Sequence, residues 1–160
     1  MPVDLRATAM AVALADRYPG AARAVLFYGS CLRERQLDGL MLDFYLIVSD
    51  YRTAYGKSWL AHANRLIPPN VFPFEHDGLI AKYAVLSEAD FARLCSFEAD
   101  NVSVWARFAQ PSRLLWVADD TARSAIVSAI AQAPITLFQR TLPMVQDAGI
   151  ADIWEKGFAL

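Results

Sequence analysis

Thiols and imidazoles are scarce in this chain: its 160 residues include two cysteines, Cys31 and Cys95, and two histidines, His62 and His76. The cysteines have no metal-type spacing and form no pattern with the histidines. That excludes a disulfide framework and a Cys/His zinc site. Cys31 reads as a packing residue, the histidines as surface or capping groups, and a reducing cytoplasm as the setting. Net charge is also small, at −2, so no bulk field marks nucleic acid as a partner, and none is expected. No stretch approaches the roughly 18–20 uninterrupted apolar residues of a transmembrane helix. Asp4 and Arg6 inside the first apolar stretch argue against a secretory signal. Repeats, low-complexity tracts and linkers are absent as well.

Apolar residues are abundant: 56% of the chain is hydrophobic and 20% charged, richer than an average soluble domain. A buried α/β core, or an apolar surface for a membrane or partner, would account for this. The length suits one domain with a proper core. Leu5, Ala9, Val12 and Ala13 have helical spacing over residues 5–17, ended by Tyr18-Pro19-Gly20. Ala24 to Tyr28 and Met41 to Val48 read as strands, with a turn and a short helical start over Cys31 to Gln36. A helix is expected over Arg52 to Arg65, ended by Pro68-Pro69-Asn70. Val71–Phe74 and Leu79–Leu86 are further strands, separated by the turn-prone His76-Asp77-Gly78. Ser87 caps a helix over Glu88 to Cys95, with Asp90 in the acidic position of a capping-box-like start. Val102–Phe108 reads as helical and Arg113–Val117 as a short edge strand. From Thr121 the chain is helical, with breaks expected at Pro134 and Pro143. The expected architecture is α/β: a mixed sheet flanked by helices over residues 1–118, and a helical C-terminal part over 119–160 packed on it as one compact unit.

Chemistry concentrates in two places. Leu26-Phe27-Tyr28-Gly29-Ser30 runs a strand into a Gly-Ser turn, where a residue without Cβ allows close backbone approach and exposed N–H groups favour a phosphate. Met41-Leu42-Asp43-Phe44-Tyr45 then carries one carboxylate into an apolar strand. A charge there is costly unless paired or metal-bound, and Mg²⁺ takes one or two carboxylates plus the substrate's phosphates. Alternate residues share a strand face, so Met41, Asp43, Tyr45 and Ile47 point one way. Tyr45, two residues on along that face, supplies no second carboxylate; Glu75 and Asp77 are candidate further ligands from another strand. The bland alternative for Asp43 is an ion pair with Arg33 or Arg35. Lys82 interrupts an apolar strand and needs an anion, for which a triphosphate or Asp43 would serve, unless it reaches solvent from an edge. Arg107, among Val104-Trp105-Ala106 and Phe108, suits phosphate binding or a structural ion pair equally well.

The Gly-Ser turn followed by an acid-bearing strand resembles the polymerase-beta-type nucleotidyltransferases. Taken in order, the motifs resemble one group more closely: the mitochondrial-type phosphatidate cytidylyltransferases, or translocator assembly and maintenance family. Tyr28-Gly29-Ser30 and Met41-Leu42-Asp43-Phe44 look like that family's turn and strand, which also lacks the second acid. Trp59-Leu60-Ala61-His62-Ala63-Asn64 is similar to its Trp-His-x-x-Asn segment. Leu79 to Ser87 resembles its Leu-Ile-Lys-Tyr strand at Lys82 and Tyr83. Ala106-Arg107 with Pro111 resembles its Ala-Gly-Arg…Lys-Pro element.

The resemblance implies a nucleotidyltransferase-type sheet and a Mg²⁺-dependent reaction of CTP with phosphatidic acid, giving CDP-diacylglycerol and pyrophosphate in phospholipid biosynthesis. It implies that Tyr28, Gly29, Ser30, Tyr83 and Arg107 hold the nucleotide, that Asp43 holds the metal, and that Asp43 and Lys82 are catalytic. It also implies peripheral contact with the inner face of a membrane, on the mitochondrial matrix side in a eukaryote. Two other readings stay open: the same fold acting on a soluble acceptor, or a non-catalytic nucleotide-binding module in which Tyr45 marks a lost metal site.

Overall fold

The computed structural model describes residues 4–34, 36–56, 70–145 and 149–159. The chain forms two compact units, one of residues 1–88 with 112–123 and the other of 89–111 with 124–160. No helix among the described residues is long and apolar enough to cross a membrane.

The first unit opens with α1 (Leu5–Asp16), whose N-cap Asp4 accepts from the Arg6 amide. Ala7, Met10, Ala11, Leu14 and Ala15 are buried, the i, i+3, i+4, i+7 stripe of an amphipathic helix. Behind it lies a five-stranded mixed sheet, order β3-β4-β2-β1-β5, made of β1 (Ala22–Tyr28), β2 (Met41–Val48), β3 (Asn70–His76), β4 (Leu79–Ser87) and β5 (Arg113–Val117). Only β2 and β4 pair in parallel; the other neighbours are antiparallel. The α/β architecture with a mixed sheet, flanking helices and a helical C-terminal part is therefore as the sequence predicts. In the β3–β4 turn Asp77 and Gly78 both have positive φ, 47° and 75°, the requirement of a tight type I′ hairpin. Helix α2 (Tyr51–Tyr55) ends at Gly56, which is left-handed. The remainder of the helix expected there, the Trp59–Asn64 motif with His62, and Pro68-Pro69 lie outside the described residues.

The hydrogen-bond register sorts the side chains. Phe27, Phe44 and Tyr83 lie opposite one another on β1, β2 and β4 and belong, with α1, to the main apolar core. The row beside it, Tyr28, Asp43, Lys82 and Pro73, occupies the other face, because successive strand residues alternate. Arg23 on β1 pairs with Glu88 at 3.2 Å and Asp119 at 2.8 Å. The Asp119 carboxyl, which also accepts from the Ala122 amide, is held below its ordinary value by that bond and then by Arg23.

In the second unit, α3 (Glu88–Cys95, begun in the first unit) and α4 (Trp105–Phe108) precede α5 (Asp120–Thr141), most of which lies here, and α6 (Ile150–Gly157). Burial pushes the Cys95 thiol up to about 12, so it is inert, in keeping with a packing role. The break expected at Pro134 does not occur: α5 runs through it. An interior proline costs about 3 kcal/mol, but the helix is held on both sides of it. Ala129, Ala133 and Leu137 form one buried stripe. Beyond the proline, Thr136 donates to the Cys95 carbonyl at 2.8 Å, and Arg140 donates to the Phe97 and Ala99 carbonyls. The helix ends before Pro143, as expected.

Gly157 lets α6 settle on α5. A Cβ there would lie 2.8 Å from Leu137 Cγ and 2.9 Å from Thr141 Oγ1. In an exposed helix Gly→Ala stabilises by about 1 kcal/mol; here overpacking of about 1–3 kcal/mol should outweigh it. Gly157→Ala is therefore expected to lower the melting temperature, and to lower it by less when introduced into a Leu137→Ala background than into the wild type. A Gly157→Ala variant that melts higher than the wild type would contradict this packing.

Candidate functional site

The turn after β1 is shaped by one residue. Gly29 has φ 91° and ψ −168°, a region essentially restricted to glycine. Its carbonyl accepts from the Leu32 amide at 3.3 Å, opening a single 3₁₀ turn over Ser30–Arg33. The turn and short helical start expected over Cys31 to Gln36 take the form of that 3₁₀ turn, with Arg35 outside the described residues. Cys31 is buried and its thiol donates to the Met41 carbonyl at 3.5 Å, tying the turn to the start of β2. Ser30 is exposed at the head of the turn.

The missing Cβ serves a carboxylate. A Cβ on Gly29 would stand 3.0 Å from Asp43 Oδ2. The glycine reserved by sequence for phosphate thus first admits Asp43. Asp43 Oδ1 is buried and accepts no hydrogen bond. Its one partner among the described residues is Lys82 Nζ at 3.3 Å, near enough for an ion pair but not aligned as a hydrogen bond. Of the bland partners considered for Asp43, Arg33 does not take the role and Arg35 lies outside the described residues. The Asp43 side chain is 21% exposed and that of Lys82 51%. A carboxylate so enclosed and so poorly satisfied is an uncommon arrangement, since buried polar atoms nearly always find partners.

The face around this pair opens at one end. Tyr45, Ile47, Ala84 and Leu86 are buried, while Met41 and Ile80, in the next row, are 55% and 45% exposed. Tyr45, where a second acid would stand, is 1% exposed and packs its ring 5.1 Å from that of Tyr28. The structure therefore brings Tyr28, Gly29, Asp43 and Lys82 together, with Ser30 adjoining.

Tyr83 is placed elsewhere. It follows Lys82 in β4, so it faces the opposite side of the sheet. There its hydroxyl lies 2.9 Å from that of Tyr18 and its ring packs on Phe72 and Phe74. Burial, and then that hydrogen bond, push the Tyr18 phenol far up. Arg107 belongs to the second unit, where it donates to the Ser103 carbonyl at 3.1 Å. Glu75 pairs with Ile80 in register. Two strand spacings of about 4.8 Å therefore separate it from the β2 line that carries Asp43. Asp77 sits in the exposed hairpin turn beside His76. Neither is a co-ligand for Asp43 in this arrangement, and no cluster of three or more His, Cys, Asp or Glu suited to a metal occurs among the described residues.

A divalent ion at Asp43 would therefore have one carboxylate from the described residues. That donor set fits Mg²⁺ carried in by phosphates, which keeps most of its ligands as water and phosphate oxygen. It does not fit a dedicated all-protein cage. The unpartnered Oδ1 is the atom available to it.

No family model matches this chain, and no curated protein is similar to it. Among solved structures it is similar to a nucleotidyltransferase-like protein from Exiguobacterium sibiricum 255-15, with a TM-score of 0.46 and 9% identity, over 96% of this chain and 52% of that one. The chain thus spans about half the length of the structure it matches.

Gly29→Ala should destabilise the protein by about 1–3 kcal/mol, the cost of a non-glycine residue in this backbone region. Part of that cost is steric and should disappear in an Asp43→Ala background; the backbone part should remain. Denaturant melts of the four proteins measure both parts. A Gly29→Ala variant as stable as wild type would mean the turn is not held as described.

Proposed function

We propose that this chain is a Mg²⁺-dependent nucleotidyltransferase, and that it transfers a cytidylyl group from CTP to phosphatidic acid, releasing pyrophosphate. One observation carries the nucleotidyl-transfer reading: a glycine-only turn closes directly on a carboxylate whose buried oxygen lacks a hydrogen bond, with a half-exposed lysine beside it. Those are the parts that positioning a metal-bound triphosphate requires. The choice of CTP and phosphatidic acid rests on the order of the Tyr28-Gly29-Ser30, Met41-to-Phe44, Trp59-to-Asn64, Lys82-Tyr83 and Ala106-Arg107 motifs, which resembles the phosphatidate cytidylyltransferases.

In this reading Asp43 would hold the Mg²⁺, which would supply charge neutralisation on the phosphates when bound. Gly29 and Ser30 pass beneath the triphosphate, where a side chain at Gly29 would collide with Asp43. Lys82 balances charge developing on the leaving pyrophosphate. A non-bridging oxygen of the acceptor's phosphate attacks the α-phosphorus in line. The bond from the α-phosphorus to the α,β-bridging oxygen breaks, and pyrophosphate leaves with that electron pair. The acceptor phosphate is already ionised, so no strong general base is needed; catalysis is positioning and electrostatics. Tyr83 contributes through the core that sets the β4 register.

A second reading, a non-catalytic nucleotide-binding module, is favoured by Tyr45. Buried against Tyr28 where a second acid would stand, it leaves Asp43 as the one carboxylate at the site among the described residues.

Pyrophosphate release from CTP and Mg²⁺ with phosphatidic acid in mixed micelles tests the proposal. The expected result is lipid-dependent release that falls by at least about 100-fold in Asp43→Asn, the scale on which losing a key electrostatic group acts. Release that needs no lipid but does need another phosphate or alcohol would move the acceptor to a soluble compound. No release with any acceptor, together with retained CTP binding, would establish the second reading.

A further inference from the structure

We propose that Lys82 is an exchangeable counter-ion. It masks the Asp43 carboxylate until a divalent cation arrives, and that cation displaces it onto the phosphate chain. The proposal rests on the reading of Asp43 as the metal ligand and adds a step to it.

The geometry of the pair is the evidence. Lys82 Nζ lies 3.3 Å from Asp43 Oδ1, yet Oδ1 receives no hydrogen bond. This ion pair is the only interaction of either charged group among the described residues. The two residues are direct register partners on the parallel pair β2 and β4, so the lysine is tethered beside the carboxylate whatever its side chain does. Its side chain is 51% exposed, which leaves the ammonium room to swing. An ammonium is a compact, strongly hydrated charge on a flexible stem, and a half-exposed pair of this kind is weak. The pair therefore balances the carboxylate's charge without giving Oδ1 a hydrogen bond, and it is weak enough to yield.

A divalent cation contends for that same oxygen. Mg²⁺ approaches its ligands to about 2.1 Å, which would set two like charges against each other unless the lysine moves. Once displaced, Lys82 stands next to whatever anion accompanies the metal, here the triphosphate. Metal and phosphate would then bind cooperatively, and by linkage the coupling acts equally in both directions. A lysine fixed on Asp43 would instead oppose the metal throughout, and one that never touched Asp43 would not resist the metal alone.

These alternatives differ in sign for one substitution, Lys82→Met, which keeps the length of the side chain and removes its charge. Two affinities are measured for the intact chain: Mn²⁺ alone by electron paramagnetic resonance, and CTP by calorimetry at saturating Mn²⁺. Lys82→Met should bind Mn²⁺ alone about two- to fivefold more tightly than wild type, the worth of a half-exposed pair. It should bind the Mn²⁺·CTP complex more weakly. Tighter binding of both would leave Lys82 on Asp43 at all stages and overturn the exchange; unchanged or weaker Mn²⁺ binding would overturn the masking. Mn²⁺ that alone binds neither wild type nor Lys82→Met would overturn the masking, and failure of the Mn²⁺·CTP complex to bind as well would overturn the metal reading with it. Mn²⁺ binding without CTP binding to wild type would overturn the nucleotide reading and the release step. It would leave masking to be judged from the metal data. Circular dichroism checks that the variant is folded, and Asp43→Asn, which should lose Mn²⁺ in either background, fixes the place of binding.

Discussion

The approach of the Asp43 carboxylate to the backbone of Gly29 is the constraint on which the site depends. A side chain at position 29 would meet Oδ2 at 3.0 Å and would also have to adopt a backbone conformation that only glycine takes without strain. The turn, the carboxylate and the antiparallel pairing of Tyr28 with Asp43 are therefore one arrangement. Changing any of them disturbs the other two. Its consequence is electrostatic: the carboxylate is pressed into a place where one oxygen has no hydrogen-bond donor and leans on a single ammonium.

The sheet explains why that arrangement sits where it does. The face lined by α1 is closed over Phe27, Phe44 and Tyr83 and is largely apolar, with the Tyr18–Tyr83 hydroxyl pair as an exception. The other face grades from buried, at Tyr45, Ile47, Ala84 and Leu86, to open, at Met41 and Ile80. Asp43 and Lys82 lie on the boundary. Deeper, both charges would carry the desolvation cost of a buried pair. Farther out, water would satisfy the carboxylate and no oxygen would be left for a ligand.

Much of this was legible in the chain, and the remainder has physical reasons. The strand Met41–Val48 and the helix Glu88–Cys95 could be read to the residue, because apolar length and cap chemistry are local signals. The Asp77-Gly78 hairpin is local too, set by two residues that tolerate positive φ. Pro134 misled because a proline's cost is local, whereas the buried stripe and the Arg140 and Thr136 bonds that outweigh it come from tertiary packing. Tyr83 is a different case: strand alternation already placed it opposite Lys82, so the two could not share a face. The contact of Gly29 with Asp43 had no sequence signal, since it depends on the register of β1 against β2. That Lys82 answers Asp43, one of the partners the sequence allowed beside a triphosphate or solvent, likewise follows from β2 and β4 being parallel neighbours.

The measurement that bears most directly on the account is the location of a bound paramagnetic ion. Mn²⁺ with CTP, added to uniformly ¹⁵N-labelled protein, should broaden the amide resonances of Gly29, Ser30, Asp43 and Lys82 more strongly than those of His76 and Asp77, and Asp43→Asn should abolish the effect. Broadening centred on the β3–β4 hairpin, or broadening at Gly29 that survives Asp43→Asn, would contradict the assignment of Asp43 as the group that holds the metal.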